Sequence, residues 1–485
     1  MIERRQGIFG GAGLAALLMH GTALAAPCPG YSVCPIVNYP ALVVTNTQVL
    51  AELAAIDAQE KGAVAALQTA GLTPPQTLAL IGEALVFDKS LSVHGNEACA
   101  LCHVPTAGFS GGARAFVPDG GIFPGSVTYR AGNRTPQSLA YAAFAPPLML
   151  APPPAGFVGG NFWDSRATGA VTGIPAADQV AGPLTNPLEM ALPDPACAVY
   201  RLAASPVAAA FAKAWGTASL AITWPANTAA VCQTANAGSP DQAPLALSAT
   251  DRAQATTTLH NIGRTIATYE ASILASPFTS KFDAVVAGKA SFTTLEQQGF
   301  NLFNGRAQCA GCHRPGGPVN VFTGWQSFNT GIPHNARNPY LTENKADPSG
   351  YIANSTGTAY VDPGLGGFLA SSANTNAAWK KLAPMFLGTF QVPTLRNVAM
   401  QPAAGANRTY MHNGYFNNLA SIVHFYNTRD VLPRCTGTTG IGVTCWPAPE
   451  TAANETHIIG NLGLSHTQEL AIVAFLGTLS DGYVK

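Results

Sequence analysis

The feature that most constrains this chain is a short pattern that occurs twice. "NEACALCHVP" places Cys99 and Cys102 two residues apart with His103 directly after them, and "AQCAGCHRP" repeats the arrangement at Cys309, Cys312 and His313. A Cys-x-x-Cys turn presents two sulfurs to the two vinyl groups of one haem, and the adjacent histidine reaches the iron from the same side. A single occurrence would leave a zinc half-site or a redox dithiol in contention. Two occurrences, each with its histidine, predict two covalently bound haem c groups in separate domains, with His103 and His313 as the proximal iron ligands.

Compartment bears on that reading. The opening "MIERRQGIFGGAGLAALLMHGTALAAP" has two arginines, an apolar run and the small-residue cleavage site Ala23-Leu24-Ala25, so residues 1–25 read as a secretory signal. No later stretch offers about 18 uninterrupted apolar residues. The mature chain is therefore expected in the periplasm, without stable membrane insertion. In that setting the six cysteines outside the two motifs suggest disulfides, and loop-closure entropy favours near neighbours: Cys28 with Cys34, Cys197 with Cys232, and Cys435 with Cys445.

Only 10% of the 485 residues are charged, and 25 basic residues balance 25 acidic ones. With no basic stripe to displace counterions, nucleic acid is excluded as a partner. The length suits two domains, placed at 26–280 and 281–485. Both haem motifs follow segments with apolar residues at helical spacing, "TLALIGEALVFDKSL" and "TTLEQQGFNLFNG". Residues 257–276 read as a long helix closing the first domain, and 465–482 as a terminal helix with a serine or threonine cap and a glycine stop. The predicted class is mainly α, with long loops and few, short strands.

A peroxidase needs an iron with an open sixth position and a nearby acid or base, whereas an electron carrier needs both irons capped. The next histidine after His103 is His260, so none lies in the segment expected to fold over the first haem. Met149 or Met190 remains available as a cap in a pure carrier.

The order "FDKSLS", first haem motif, "FWDSRA", "GPLTNPLEM", "ASPFTSKFD", second haem motif, "FNTGIP", "DPGLG", "VPTLRNVAM", "YMHNGYF" resembles the bacterial dihaem cytochrome c peroxidases and their MauG-like relatives. The resemblance runs from about residue 74 to 480. It implies two cytochrome c-like domains, the first haem reducing hydrogen peroxide and the second passing electrons to it. By the same resemblance Glu189 moves the proton, Gln179 orients peroxide, Pro183 lines the pocket and Trp163 lies between the haems. The extra stretch "TGAVTGI" precedes Gln179. Tyr426 stands 14 residues past His412, where peroxidases of the family carry methionine and MauG-like members tyrosine, so it is the candidate distal ligand of the second iron.

A helix there puts Leu419, Ile422, Val423 and Tyr426 on one face, with His424 pointing about 200° away from Tyr426. Bland alternatives stay open: a solvated first-turn residue for Glu189, an interface residue for Trp163, a packed core residue for Tyr426. The electron donor is expected to be a small periplasmic cytochrome c or cupredoxin, or the target a protein substrate. The resemblance also implies calcium between the domains, held by an asparagine of "R-N-[ST]-P" and groups before "Y-x-H-[DN]-G". Here Asn133 and Arg134 are exchanged and Thr409 replaces the usual proline, which weighs against calcium. The inserts at about 195–250 and 340–385 have no role assigned from sequence.

Overall fold

The structure, a computed structural model, describes residues 47–111, 121–153, 155–238, 243–316, 319–401 and 408–484. The expected signal segment and the Cys28–Cys34 pair lie outside them.

Each half of the chain is organised by a crossed pair of helices. In the first half, Pro74–Phe87 starts at a capping box in which Thr73 and Gln76 satisfy each other's backbone N–H groups, with Pro74 in the first turn. Its buried face, including Ile81, Leu85 and Val86, packs on the long helix Ala249–Ala271. The crossing is close because Gly82 has no side chain: a Cβ there would lie 2.4 Å from the Thr265 carbonyl oxygen. The second half repeats the device. Thr294–Asn304, boxed by Thr293 and Glu296, crosses His466–Gly477, boxed by Ser465 and Gln468. There a Cβ on Gly299 would lie 1.9 Å from the Ala471 carbonyl oxygen.

The chain is mainly helical. Among the described residues the named strands form two short antiparallel pairs, Met149–Ala151 with Gly156–Val158 and Ser327–Phe328 with Phe390–Gln391. Three helix bounds differ from the sequence expectation, one of them the end of the long helix, which stops at Ala271 with Ser272 as its cap rather than at 276. The long helix begins earlier, at Ala249, because the Ser248 side chain accepts the Asp251 N–H and opens a polar first turn that carries no apolar periodicity. The terminal helix ends earlier, at Gly477, where the Thr478 hydroxyl bonds the Phe475 carbonyl at 2.6 Å.

One core gathers Ile81, Leu85, Tyr141, Leu192, Phe211 and Ile262, and another gathers Phe282, Phe303, Phe322, Phe425 and Phe475. The latter is built from ring edges, with Phe282 and Phe322 centroids 4.8 Å apart and Phe303 and Phe475 5.1 Å apart. The halves are joined where the Tyr141 hydroxyl donates to Asp481 at 2.6 Å and accepts the Phe278 N–H at 3.2 Å. Cys197–Cys232 and Cys435–Cys445 are bridged, as the neighbour rule expects. No helix among the described residues is long and apolar enough to cross a membrane.

The inserts converge on Arg130, which is 1% exposed. From the second insert, Asp347 accepts from its Nε at 2.8 Å, the Ser349 hydroxyl from Nη2 at 2.8 Å, and the Tyr351 ring lies 4.5 Å below the guanidinium. From the first insert, the Asn236 carbonyl accepts from Nη1 at 2.6 Å. Glu343 completes the contact by accepting the Ala131 N–H at 2.7 Å. Burial pushes the Glu343 carboxyl up to about 8, against 4.5 for the ordinary group. The folded state then binds more protons than the unfolded state between those values, so stability falls as pH rises through that window. Glu343→Gln removes this contribution, and its thermal midpoint is expected to fall less than that of the parent between about pH 5 and 8. Equal slopes in a thermal titration would show that Glu343 is ionised in the fold.

Candidate functional site

Cys99 and Cys102 occupy a one-turn helix closed by the His103 N–H donating to the Cys99 carbonyl at 2.9 Å. His103 Nδ1 lies 2.7 Å from the Gln137 carbonyl oxygen. A carbonyl only accepts, so Nδ1 carries the proton and Nε2 keeps its lone pair for a metal. Burial lowers the ring to about 4 and keeps it neutral. Both thiols are unpaired, burial pushing Cys99 up to about 12 and Cys102 well above its ordinary value. They open into a cavity with about 1420 Å³ of empty space, walled also by Trp163, Arg166, Gln179, Pro183, Asn186 and Glu189. His103 is the one histidine among its lining residues. Met190 is buried in the wall, but Met149 sits on a surface strand, half exposed and outside the lining, which removes it as a cap.

Gln179, Pro183 and Glu189 reach this cavity from the helix Pro175–Thr185 and the segment after it. The preceding "TGAVTGI" stretch is folded back by Asp178, which accepts the Val171 and Thr172 N–H groups at 3.1 and 2.9 Å. Asn186 Nδ2 donates to Glu189 Oε1 at 2.5 Å, and Asn186 Oδ1 accepts the Leu188 N–H at 3.0 Å. Burial raises the Glu189 carboxyl, and the Arg166 charge and the Asn186 bond only partly offset it. The segment is fastened from outside. Asn236 donates its backbone N–H to the Ala191 carbonyl at 2.8 Å and its amide to the Thr185 carbonyl at 2.5 Å, while Arg130 bonds the Pro187 carbonyl at 3.2 Å.

Sequence reasoning passed over Asn186, Arg166, Glu97 and Glu270, which also line this cavity. The signals were present for two of them: Arg166 lies within "FWDSRA", and Asn186 stands three before Glu189 at the end of a helix.

The second cavity, with about 1650 Å³ of empty space, repeats the proximal arrangement. Cys309 and Cys312 are unpaired, the His313 N–H donates to the Cys309 carbonyl at 2.8 Å, and His313 Nδ1 lies 3.1 Å from the Phe322 carbonyl oxygen. Burial again lowers the imidazole to about 4. The helix Leu419–Thr428, capped by Asn418, turns Leu419, Ile422, Val423 and Tyr426 into this cavity. His424 faces away, its Nδ1 2.9 Å from Glu469 Oε1. The Tyr426 hydroxyl lies 3.9 Å from the Met411 sulfur, and burial raises the phenol above its ordinary value.

Trp163 lines both cavities, as do residues 135–138. Its indole N–H donates to the Thr135 carbonyl at 2.8 Å and its own carbonyl accepts the Gln391 N–H at 2.8 Å. The ring meets His412 edge-on at 6.4 Å, and His412 stacks on Phe390 at 3.6 Å. Glu450 holds the far side of that imidazole, Oε2 to Nε2 at 2.9 Å.

The family model described as di-haem cytochrome c peroxidase matches residues 76–291. Methylamine utilization protein MauG of Paracoccus denitrificans is 30% identical over 414 residues, covering 83% of this chain and 88% of that protein. The chain belongs to the dihaem cytochrome c peroxidase and MauG-like family. Cytochrome-c peroxidase IdrP1 of Denitromonas iodatirespirans is 25% identical over 409 residues, 82% of this chain and 80% of that one. The solved diheme peroxidase BthA of Burkholderia thailandensis has the same fold, with a TM-score of 0.61 at 23% identity over 85% of this chain and 89% of that one. As a member of the dihaem cytochrome c peroxidase and MauG-like family the protein is a peroxide-dependent dihaem oxidoreductase, with haem as its cofactor. The residues present fit that group: two large cavities, each with a pair of thiols outside any disulfide and a neutral imidazole whose Nδ1 is held by a backbone carbonyl.

Asn133 Nδ2 donates to the Tyr360 hydroxyl at 2.8 Å, Asp164 and Asp362 both accept from Arg134, and Asn133, Asp362 and Glu450 border one small polar cavity. Among the described residues no group of three or more His, Cys, Asp or Glu is arranged to hold a metal ion.

Proposed function

We propose that residues 26–280 and 281–485 each form a cytochrome c-like domain, and that hydrogen peroxide is reduced in the first with electrons passed from the second. The observation that carries this reading is that Glu189 and Gln179 share the first cavity with His103 and with no second histidine. Haem, held by thioethers at Cys99, Cys102, Cys309 and Cys312, supplies redox-active iron at His103 and His313. Peroxide takes up two electrons and two protons and leaves as two waters. Glu189, raised by burial and oriented by Asn186, moves a proton between the peroxide oxygens. Gln179 orients the peroxide, and Trp163, bordering both cavities, carries the electron across. The protein acts in the periplasm, its two electrons coming from a small cytochrome c or cupredoxin.

A second reading, peroxide-dependent oxidation of a partner protein's side chain, is favoured by Tyr426. It reaches the second cavity where, by the resemblance drawn from sequence, peroxidases of the family carry methionine and MauG-like members tyrosine. An anionic oxygen ligand stabilises oxidised iron more than a thioether does. Tyr426→Phe is expected to change the low-spin ferric signal of the second haem in electron paramagnetic resonance and leave the high-spin signal of the first intact. Two unchanged signals would make Tyr426 a packing residue.

Stopped-flow spectroscopy of the isolated protein mixed with peroxide tests the function. Turnover only with reduced cytochrome c or cupredoxin supports the peroxidase, spectral changes that decay without a donor support side-chain oxidation, and no reaction leaves an electron carrier.

A further inference from the structure

A buried ion cluster lies at the junction of the two cavities. Arg134 Nε and Nη2 donate to the two carboxylate oxygens of Asp362 at 2.6 and 2.7 Å, and Nη1 donates to Asp164 Oδ2 at 2.7 Å. Asp164 also takes Nη1 of Arg166 at 3.0 Å, so two guanidiniums face two carboxylates and the cluster is neutral without a metal. Asp164 and Asp362 are both buried. Burial alone pushes Asp164 up, but the charges of Arg134 and Arg166 reverse this and hold its carboxyl below the usual range. The Arg134 guanidinium lies 5.8 Å over Phe390, the ring stacked on His412.

The covalent neighbours give the cluster its meaning. Asp164 follows Trp163 in the chain, and Arg134 precedes Thr135, whose carbonyl receives the indole N–H. The ion pair therefore ties the backbone that carries the indole to the backbone that accepts its hydrogen bond. Asp362 comes from the second insert, so the tie extends to the other half of the chain. A two-point guanidinium–carboxylate pair fixes orientation as well as distance. By the resemblance drawn from sequence Arg134 stands where the family's calcium-binding asparagine falls, and a guanidinium has no lone pair to offer a cation.

We propose that Arg134 is a built-in cation at the junction of the haem cavities, a positioning residue that holds Trp163 through Asp164 and Thr135 and makes electron exchange between the cavities independent of calcium. The electron step rests on the Trp163 reading above: one electron leaves the second haem and one reaches the first, and no bond is made or broken. Calcium independence rests on the ion cluster alone.

The experiment uses the full holoprotein and reads the interval between the spectral changes of the two haems after peroxide is added. Wild type treated with EGTA and then given calcium is expected to show no change in that interval or in thermal midpoint. Arg134→Gln leaves two buried carboxylates short of a cation and is expected to lengthen the interval at least about tenfold, as a small misplacement of a reacting group does. Arg134→Lys keeps the charge but cannot make the two-point pair, so it should recover only part of the loss. Loss of exchange on chelation with recovery by calcium, one tightly held calcium per isolated wild-type chain, or an Arg134→Gln interval equal to that of wild type would overturn the proposal. If Arg134→Gln fails to fold, the chelation and metal-content measurements on wild type still decide. An unchanged interval in Trp163→Phe would sink the relay reading while leaving the chelation result to judge the cation.

Discussion

Glu189→Gln is expected to slow the reaction with peroxide by about 10² to 10⁴, the ordinary contribution of a positioned acid or base. The substitution isolates proton transfer because little else changes. Glutamine keeps the side-chain length and offers the same oxygen to Asn186 Nδ2, now 2.5 Å from Glu189 Oε1. It lacks only the exchangeable proton. Burial, which raises the native carboxyl, brings that proton closer to transfer at neutral pH than an exposed glutamate would. Both haems should remain attached and the unreacted spectrum unchanged, since neither thiol pair nor proximal histidine touches the altered atom. A loss under about tenfold would reduce Glu189 to a wall residue of the cavity.

Trp163→Phe is expected to separate the responses of the two haems in time, with the first still reacting and the second lagging by about 10²-fold. Phenylalanine keeps most of the apolar area but is far harder to oxidise. It also removes the indole N–H, leaving the Thr135 carbonyl without its 2.8 Å donor, a cost of about 1 to 3 kcal/mol if water does not replace it. That cost lowers the thermal midpoint without touching the timing, so the two readouts are independent. Parallel loss of haem content, stability and peroxide reaction would mark Trp163 as packing alone, and an unchanged lag would remove it from the electron path.

What could be read from the sequence was local. The two Cys-x-x-Cys-His turns need only five consecutive residues each, and their geometry follows from that spacing. The orientation of Tyr426 needed only helical periodicity, and Leu419, Ile422 and Val423 do turn with it toward one cavity while His424 turns to Glu469. Gly82 and Gly299 stood inside helical runs with no visible reason. Their reason is a partner helix distant in the chain, at Thr265 and at Ala471. Arg130 and Asn236 were silent for the same cause, and of Arg134 only its exchange with Asn133 was visible, not its partners. Their partners are set by tertiary contacts between segments far apart in sequence, which no periodicity encodes. The start of the long helix was missed because Ser248 and Asp251 signal it by a cap rather than by an apolar stripe.

The fastening of the distal segment sets an order of assembly. Asp347, Ser349 and Tyr351, which grip Arg130, and Asp362, which grips Arg134, all follow the second haem motif in the chain. A growing polypeptide therefore presents both attachment motifs before it has the residues that brace Arg130 and Arg134 beside the first cavity. The first cavity, lined only by residues between Val86 and Glu270, can be enclosed by the earlier half and is braced from outside once the later half arrives, whereas the second cavity is lined as far as Leu476 and is completed last.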